Sequence, residues 1–273
     1  MKHILSSLLL LFATLFPLSV ANASRVDILP RKIVIEDRQR SADITIMNLG
    51  QETGTIRLSI ISYRQDEKGV YQLLEAPLNP AFDPASMVRF SPKQFTLPPN
   101  GRQKIRLSIQ RPADLPDGEY RFHVKAISYE SEEALAGKPV PSRGKNLALQ
   151  MNIAVAIPVI VRKGELTSTA KMENVTLLAP SQSEYKKPAL QVDIARTGTA
   201  GVLGTIQVFW EPAGGGEPVK IGMASNVNAF AEVSKRQVII PLSQDITGRG
   251  KIRLRYTNDF GDKGVLDEVV LDR

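Results

Sequence analysis

From Leu147 to Val161 every second residue is apolar: Leu147, Leu149, Met151, Ile153, Val155, Ile157, Val159 and Val161. Ala148, Gln150, Asn152, Ala154, Ala156, Pro158 and Ile160 lie between them. Side chains alternate between the two faces of a strand, so a period of two reads as a strand with one apolar face. The length sets the constraint. At about 3.3 Å per residue the run spans roughly 50 Å, against about 5–6 residues for an ordinary strand. One small β-domain cannot easily cover such a face. Either the strand crosses between two domains, or part of its apolar face is kept for another chain. Pro158 has no N–H, which points to an edge, a bulge or the place where the strand leaves one sheet.

The rest of the chain reads as strands too. Val26 to Glu36 is a first strand. Ala42–Asn48, Gly54–Tyr63, Lys104–Gln110 and Glu119–Ala126 alternate, with turn signals at Asn48-Leu49-Gly50, Pro98-Pro99-Asn100-Gly101 and Pro116-Asp117-Gly118. Ser131 to Gly144 is a loop. Gly164 reads as a domain hinge, and the pattern resumes beyond it: Leu190, Val192 and Ile194; Val238, Ile240 and Leu242; Ile252, Leu254 and Tyr256. The chain ends in a strand near Val265 to Leu271. No segment has the period of an amphipathic helix of ordinary length. Many short strands with frequent turns predict two immunoglobulin-like β-sandwich domains of about seven strands each.

Lys2, the apolar stretch Ile4–Leu18 and Ala21-Asn22-Ala23 form a secretory signal peptide over residues 1–23, so the mature chain is expected to begin at Ser24. About 250 residues then remain, enough for two domains. The predicted boundary falls after Arg162, giving domains at 24–162 and 163–273. With no cysteine, disulfides, thiol catalysis and cysteine metal sites are excluded. An exported protein without disulfides suits a bacterial periplasm. The formal charge of +7 reads as solubility or as attraction to acidic partners. No dense basic run or aromatic platform points to nucleic acid.

Little here suggests catalysis. His123 is the one histidine left after signal removal, and it sits in a strand pattern between Phe122 and Val124. It reads as a packed or surface histidine, with no partner motif for a metal ligand or general base. There is no Gly-x-Ser-x-Gly elbow, and Gly214-Gly215-Gly216 is not followed by the Lys-Ser/Thr of a phosphate loop. The sequence predicts no enzyme, no cofactor and no metal.

Several stretches in order resemble one family. They are Arg31-Lys32-Ile33-Val34-Ile35, then Phe90-Ser91-Pro92-Lys93-Gln94-Phe95 with Leu97-Pro98-Pro99-Asn100-Gly101, then Asp117-Gly118-Glu119-Tyr120-Arg121. The alternating strand ending in Val161-Arg162 and Tyr256-Thr257-Asn258-Asp259-Phe260-Gly261 follow. Over essentially the whole mature length the chain resembles the periplasmic pilus (fimbrial) chaperones, the PapD-like proteins. It departs from their usual pattern enough to suggest a non-classical, archaic-like or alternative branch.

The resemblance implies two sandwiches set in an L or boomerang. It also implies a mechanism in which the chaperone lends a strand to an incomplete pilus subunit and delivers it to an outer-membrane usher. In this chain the donor residues would be Leu147, Leu149, Met151, Ile153, Val155 and Ile157. Backbone pairing would satisfy the subunit's open edge and alternate side chains would enter its core. An exposed apolar strand invites aggregation, so self-association when free is a further expectation. Lys32 corresponds to one of two basic cleft residues that grip the subunit's terminal carboxylate. No basic residue stands at the second place, near Ile157-Pro158. Glu119, Arg162 and Asp259 correspond to an interdomain charge triad. A rival reading is a structural or adhesive two-domain β-sandwich that binds a ligand through its loops, and another is a glycosidase with two close carboxylates.

Overall fold

A computed structural model describes residues 25–130, 153–261 and 264–273. The first half contributes strands β1 (Val26–Leu29), β2 (Ile33–Ile35), β3 (Ser41–Asn48), β4 (Gly54–Gln65) and β5 (Tyr71–Leu74). A single helical turn, α1 (Pro84–Met87), follows, then β6 (Val88–Ser91), β7 (Gln94–Leu97), β8 (Arg102–Ile109), β9 (Gly118–Glu130) and β10 (Ala154–Lys163). The second half contributes β11 (Ser168–Leu178), β12 (Ala189–Gly198), β13 (Val202–Pro212), β14 (Val219–Ala229), β15 (Lys235–Pro241), β16 (Gly250–Asn258) and β17 (Val265–Asp272).

These strands form two immunoglobulin-like sandwiches. In the first, a sheet ordered β1-β3-β8-β6 faces one ordered β2-β10-β9-β4-β5, with β7 also on β4. Ile28, Ile44, Ile46, Ile105 and Leu107 from one sheet meet Ile35, Ile56, Phe122, Val124 and Val159 from the other, all fully buried. Tyr120, near the start of β9, donates its hydroxyl to Pro116 O at 2.7 Å. That bond has the form of the tyrosine corner of immunoglobulin-like sandwiches. In the second domain β11-β12-β15 packs on β14-β13-β16-β17 around Leu190, Val192, Ile194, Val208, Leu254 and Tyr256.

The single first strand expected over Val26–Glu36 is two strands. β1 pairs antiparallel with β3, while β2 pairs parallel with β10 in the opposite sheet. Pro30 lies between them and has no N–H to offer a ladder, so the chain leaves one sheet there and joins the other. Gly164 lies between β10 and β11 at φ 76°, a left-handed conformation that favours glycine.

Candidate functional site

The end of the long alternating run is β10, and among the described residues it is an edge along half its length. On one side Ala154–Lys163 pairs with β9 without a register shift. On the other, β2 covers only Val159, Ile160 and Val161. From Ala154 to Pro158 the side of β10 turned away from β9 has no neighbouring strand among the described residues. Because the β9 register is unbroken, Pro158 is tolerated only where an amide would point away from β9. By alternation Ala156 and Ala154 turn their N–H groups the same way, towards the open side.

Of the expected donor residues, Leu147, Leu149 and Met151 lie outside the described residues. Ile153 is half-buried just before β10. Val155 packs against the first core, and Ile157 lies within it at 3% exposure. Val159 and Val161 are fully buried in the same core. The C-terminal part of the ribbon therefore holds its own domain together, each such side chain contributing about 1.5–3 kcal/mol. Ile157 is thus spoken for by its own core, and any apolar face kept for a guest lies N-terminal to it.

The open edge borders the contact between the two sandwiches. Ile160 of β10 forms a small buried cluster with Leu203 and Phe230 of the second domain, flanked by Val34 and Phe260. Lys32 precedes β2 and is level with Pro158 by the β2–β10 register. Its ammonium is 2.9 Å from Asp259 Oδ2 and 5.2 Å from the centre of the Phe260 ring. A guest carboxylate at Lys32 would compete with that pair.

Glu119, Arg162 and Asp259 do not close into one triad. Arg162 Nε donates to Glu119 Oε2 at 3.1 Å, and Arg162 Nη2 donates to Gly201 O at 3.3 Å. Gly201 N–H returns to Glu119 Oε2 at 3.1 Å. Asp259 instead accepts from Lys32 and from Thr205 Oγ1, the latter at 3.1 Å. The junction thus has two separate fastenings, and Lys32 takes the place expected for Arg162 beside Asp259. Gly201 is required by close approach: an added Cβ would lie 2.9 Å from Glu119 Oε1 and 3.0 Å from Ala229 O.

A third fastening was not foreseen. Arg121 of β9 donates from Nη2 to Glu232 Oε1 at 2.5 Å and to Tyr63 O at 2.8 Å. Its guanidinium carbon lies 3.7 Å from the Phe230 ring centre, a cation–π contact. Glu232 Oε1 also accepts from Gln65 N–H at 3.1 Å. Burial lowers the Arg121 pKa from its ordinary value, and the Glu232 charge opposes that. The available signal was a charge at the outward position of an otherwise apolar strand, Tyr120-Arg121-Phe122. Glu232 and Phe230 carried no such signal, since their proximity depends on the domain packing.

His123 is buried at 2% exposure on the same face as Arg121. The Tyr63 and Tyr71 rings meet it edge-on at 5.0 and 5.6 Å. Burial first, and the Arg121 charge second, depress its pKa to about 3, so it is neutral near pH 7. It is a packed histidine. Among the described residues no group of three His, Asp or Glu side chains could hold a metal ion. No described helix is long and apolar enough to cross a membrane.

No family model matches the chain, and no curated protein does. Solved structures do match. One is a chain from a chaperone–tip adhesin complex described as vital for activation of CFA/I fimbriae biogenesis. It is 12% identical over 92% of this chain and 99% of its own length, with a TM-score of 0.46. The E. coli chaperone DraB is 12% identical over 91% of this chain and 96% of its own, with a TM-score of 0.46. A chain of the CsuC–CsuE chaperone–tip adhesion subunit complex of archaic Csu pili from Acinetobacter baumannii is 11% identical. It covers 91% of this chain and 98% of its own, at a TM-score of 0.44. Each of these structural neighbours is a chaperone or a chain of a chaperone–adhesin complex. At such identity, function is argued from the chain's own residues.

Proposed function

We propose that this protein is a periplasmic chaperone for pilus subunits. It takes no part in bond chemistry. It stabilises an incomplete subunit by donating a strand, and then passes it to an outer-membrane usher. One observation carries the reading: among the described residues β10 has no strand partner over Ala154–Pro158 on the side away from β9, beside the domain junction. An unpaired strand edge beside a cleft is a template for strand addition.

The apolar part of the donated surface is Leu147, Leu149, Met151 and Ile153, the portion of the ribbon N-terminal to the residues its own core consumes. Val155 and Ile157 serve as the root that holds the donor. Lys32 anchors a guest carboxylate by exchanging Asp259 for it. Residues 1–23 direct export and are removed. Free protein shields the donor by self-association.

The test is co-purification from periplasm, with mass spectrometry of what comes along, for the parent and for Met151→Glu/Ile153→Glu. The expected result is pilus subunits with the parent and their loss with the double variant, whose melting temperature stays within a few degrees. Equal recovery of subunits with a folded double variant would overturn strand donation.

A further inference from the structure

The second sandwich has an open side. β14 and β15 are the facing edges of its two sheets, and among the described residues one bridge, Gly222↔Leu242 just past β15, joins them. Beyond that bridge a cavity of about 390 Å³ opens, lined by Ser225, Asn226 and Ile239 of the second domain and by Lys68 and Val70 of the β4–β5 turn. This is within the range of ligand pockets, about 300–1,000 Å³.

The backbone on one wall is oriented by its neighbours. Arg196 N–H bonds to Ser234 O and Leu242 N–H to Pro188 O, so the even-numbered residues of β15 face β12. Gln237 N–H bonds outward to Glu67 O, and Ser243 N–H to Ile221 O. The odd-numbered residues therefore face away from β12. Ile239, which lines the cavity and pairs across only to Gln191, presents its N–H and C=O there. The same wall is basic. Lys68 and Arg236 line it with one acid, Glu184. Arg236 Nη1 is held by the carbonyls of Gln237 and Glu67, while its buried Nε has no partner. Val70 and Tyr185 are exposed beside it, at 61% and 48%.

We propose that this cavity binds an extended peptide segment that carries a carboxylate. The peptide main chain pairs with Ile239 as an added strand, its carboxylate meets Lys68 and Arg236, and its apolar flank covers Val70 and Tyr185. A donor and an acceptor offered by one residue of a strand edge select a main chain over a compact small molecule. Two cations against one acid select a carboxylate over an amide. The cavity lies away from β10, so it is independent of strand donation.

The probe is a capped heptapeptide of alternating threonine and valine with a central aspartate, beside the same peptide with asparagine. Amide NMR of the purified chain follows each titration. The aspartate peptide is expected to shift the Ile239 amide and slow its hydrogen exchange, with the asparagine peptide about tenfold weaker. Lys68→Glu should weaken the aspartate peptide about tenfold while leaving the melting temperature unchanged. Ile239→Pro removes an amide that points away from β12, and should abolish binding. No response at Ile239 up to millimolar peptide, equal binding of the two peptides, or unchanged binding by folded Lys68→Glu would each overturn the proposal.

Discussion

His123 and Arg121 stand two residues apart on one face of β9, and both are buried polar side chains. Their energetics differ. His123 is neutral when folded because burial depresses its pKa to about 3, against 6.5 for the ordinary side chain. The unfolded chain therefore binds a proton that the folded chain refuses. Stability is unaffected by this group above pH 6.5, falls as pH drops below that value, and stops falling near pH 3. Between pH 7 and pH 5 the loss is about 2 kcal/mol. His123→Phe, which keeps an aromatic ring but does not titrate, should flatten this part of the stability profile in denaturant titrations at several pH values. Arg121 is held by charge and by the Phe230 ring. Arg121→Ala removes the guanidinium from Glu232, Tyr63 O and the Phe230 ring, while Glu232 keeps the Gln65 N–H, and should cost about 1.5–3 kcal/mol by urea unfolding. Adding Glu232→Gln should recover part of that loss.

At the scale of the strand, β10 has two kinds of position. Ile157→Ala opens a cavity in the first core and should cost about 2–5 kcal/mol. Ala156→Pro removes only an amide that faces the open side, so its melting temperature should stay close to that of the parent. By pulldown from periplasm it should nonetheless recover fewer subunits. Strands were legible from the sequence wherever one face is buried and the other wet. Ile44 with Ile46, and Ile105 with Leu107, alternate in the sequence and are fully buried in the structure. The expectation failed at Val26–Glu36, because alternation gives the face of a strand and not the sheet it joins. The site was legible only in part. Periodicity marks Val155 and Ile157 as inward-facing without saying whose interior they enter. The pairing of Lys32 with Asp259 links residues 227 apart in the chain, and that of Arg121 with Glu232 links residues 111 apart. No local pattern encodes either.

At the scale of the molecule, besides the backbone bond from Gln237 N–H to Glu67 O, the fastenings between the sandwiches include Arg162 and Glu119 on Gly201, Lys32 on Asp259, and Arg121 on Glu232. They surround the small cluster of Ile160, Leu203 and Phe230. Arg162→Ala leaves the Glu119 carboxylate, 2% exposed, without its guanidinium. It should cost about 2–3 kcal/mol and broaden the spread of domain angles seen by small-angle scattering. Gly201→Ala should act in the same direction, because the new methyl group would lie 2.9 Å from Glu119 Oε1 across the junction.

The brevity of β2 has a geometric consequence. It is three residues long, lies alongside a ten-residue strand and starts level with Val159. Any visiting backbone that zips onto β10 must halt where Ile33 already occupies the lane. Under the proposed strand donation that residue would act as a buffer stop, and a visitor running parallel to β10 would end beside Pro158, level with Lys32. Such an arrangement would measure guests from one end, aligning them by where they terminate as well as by which side chains they bring.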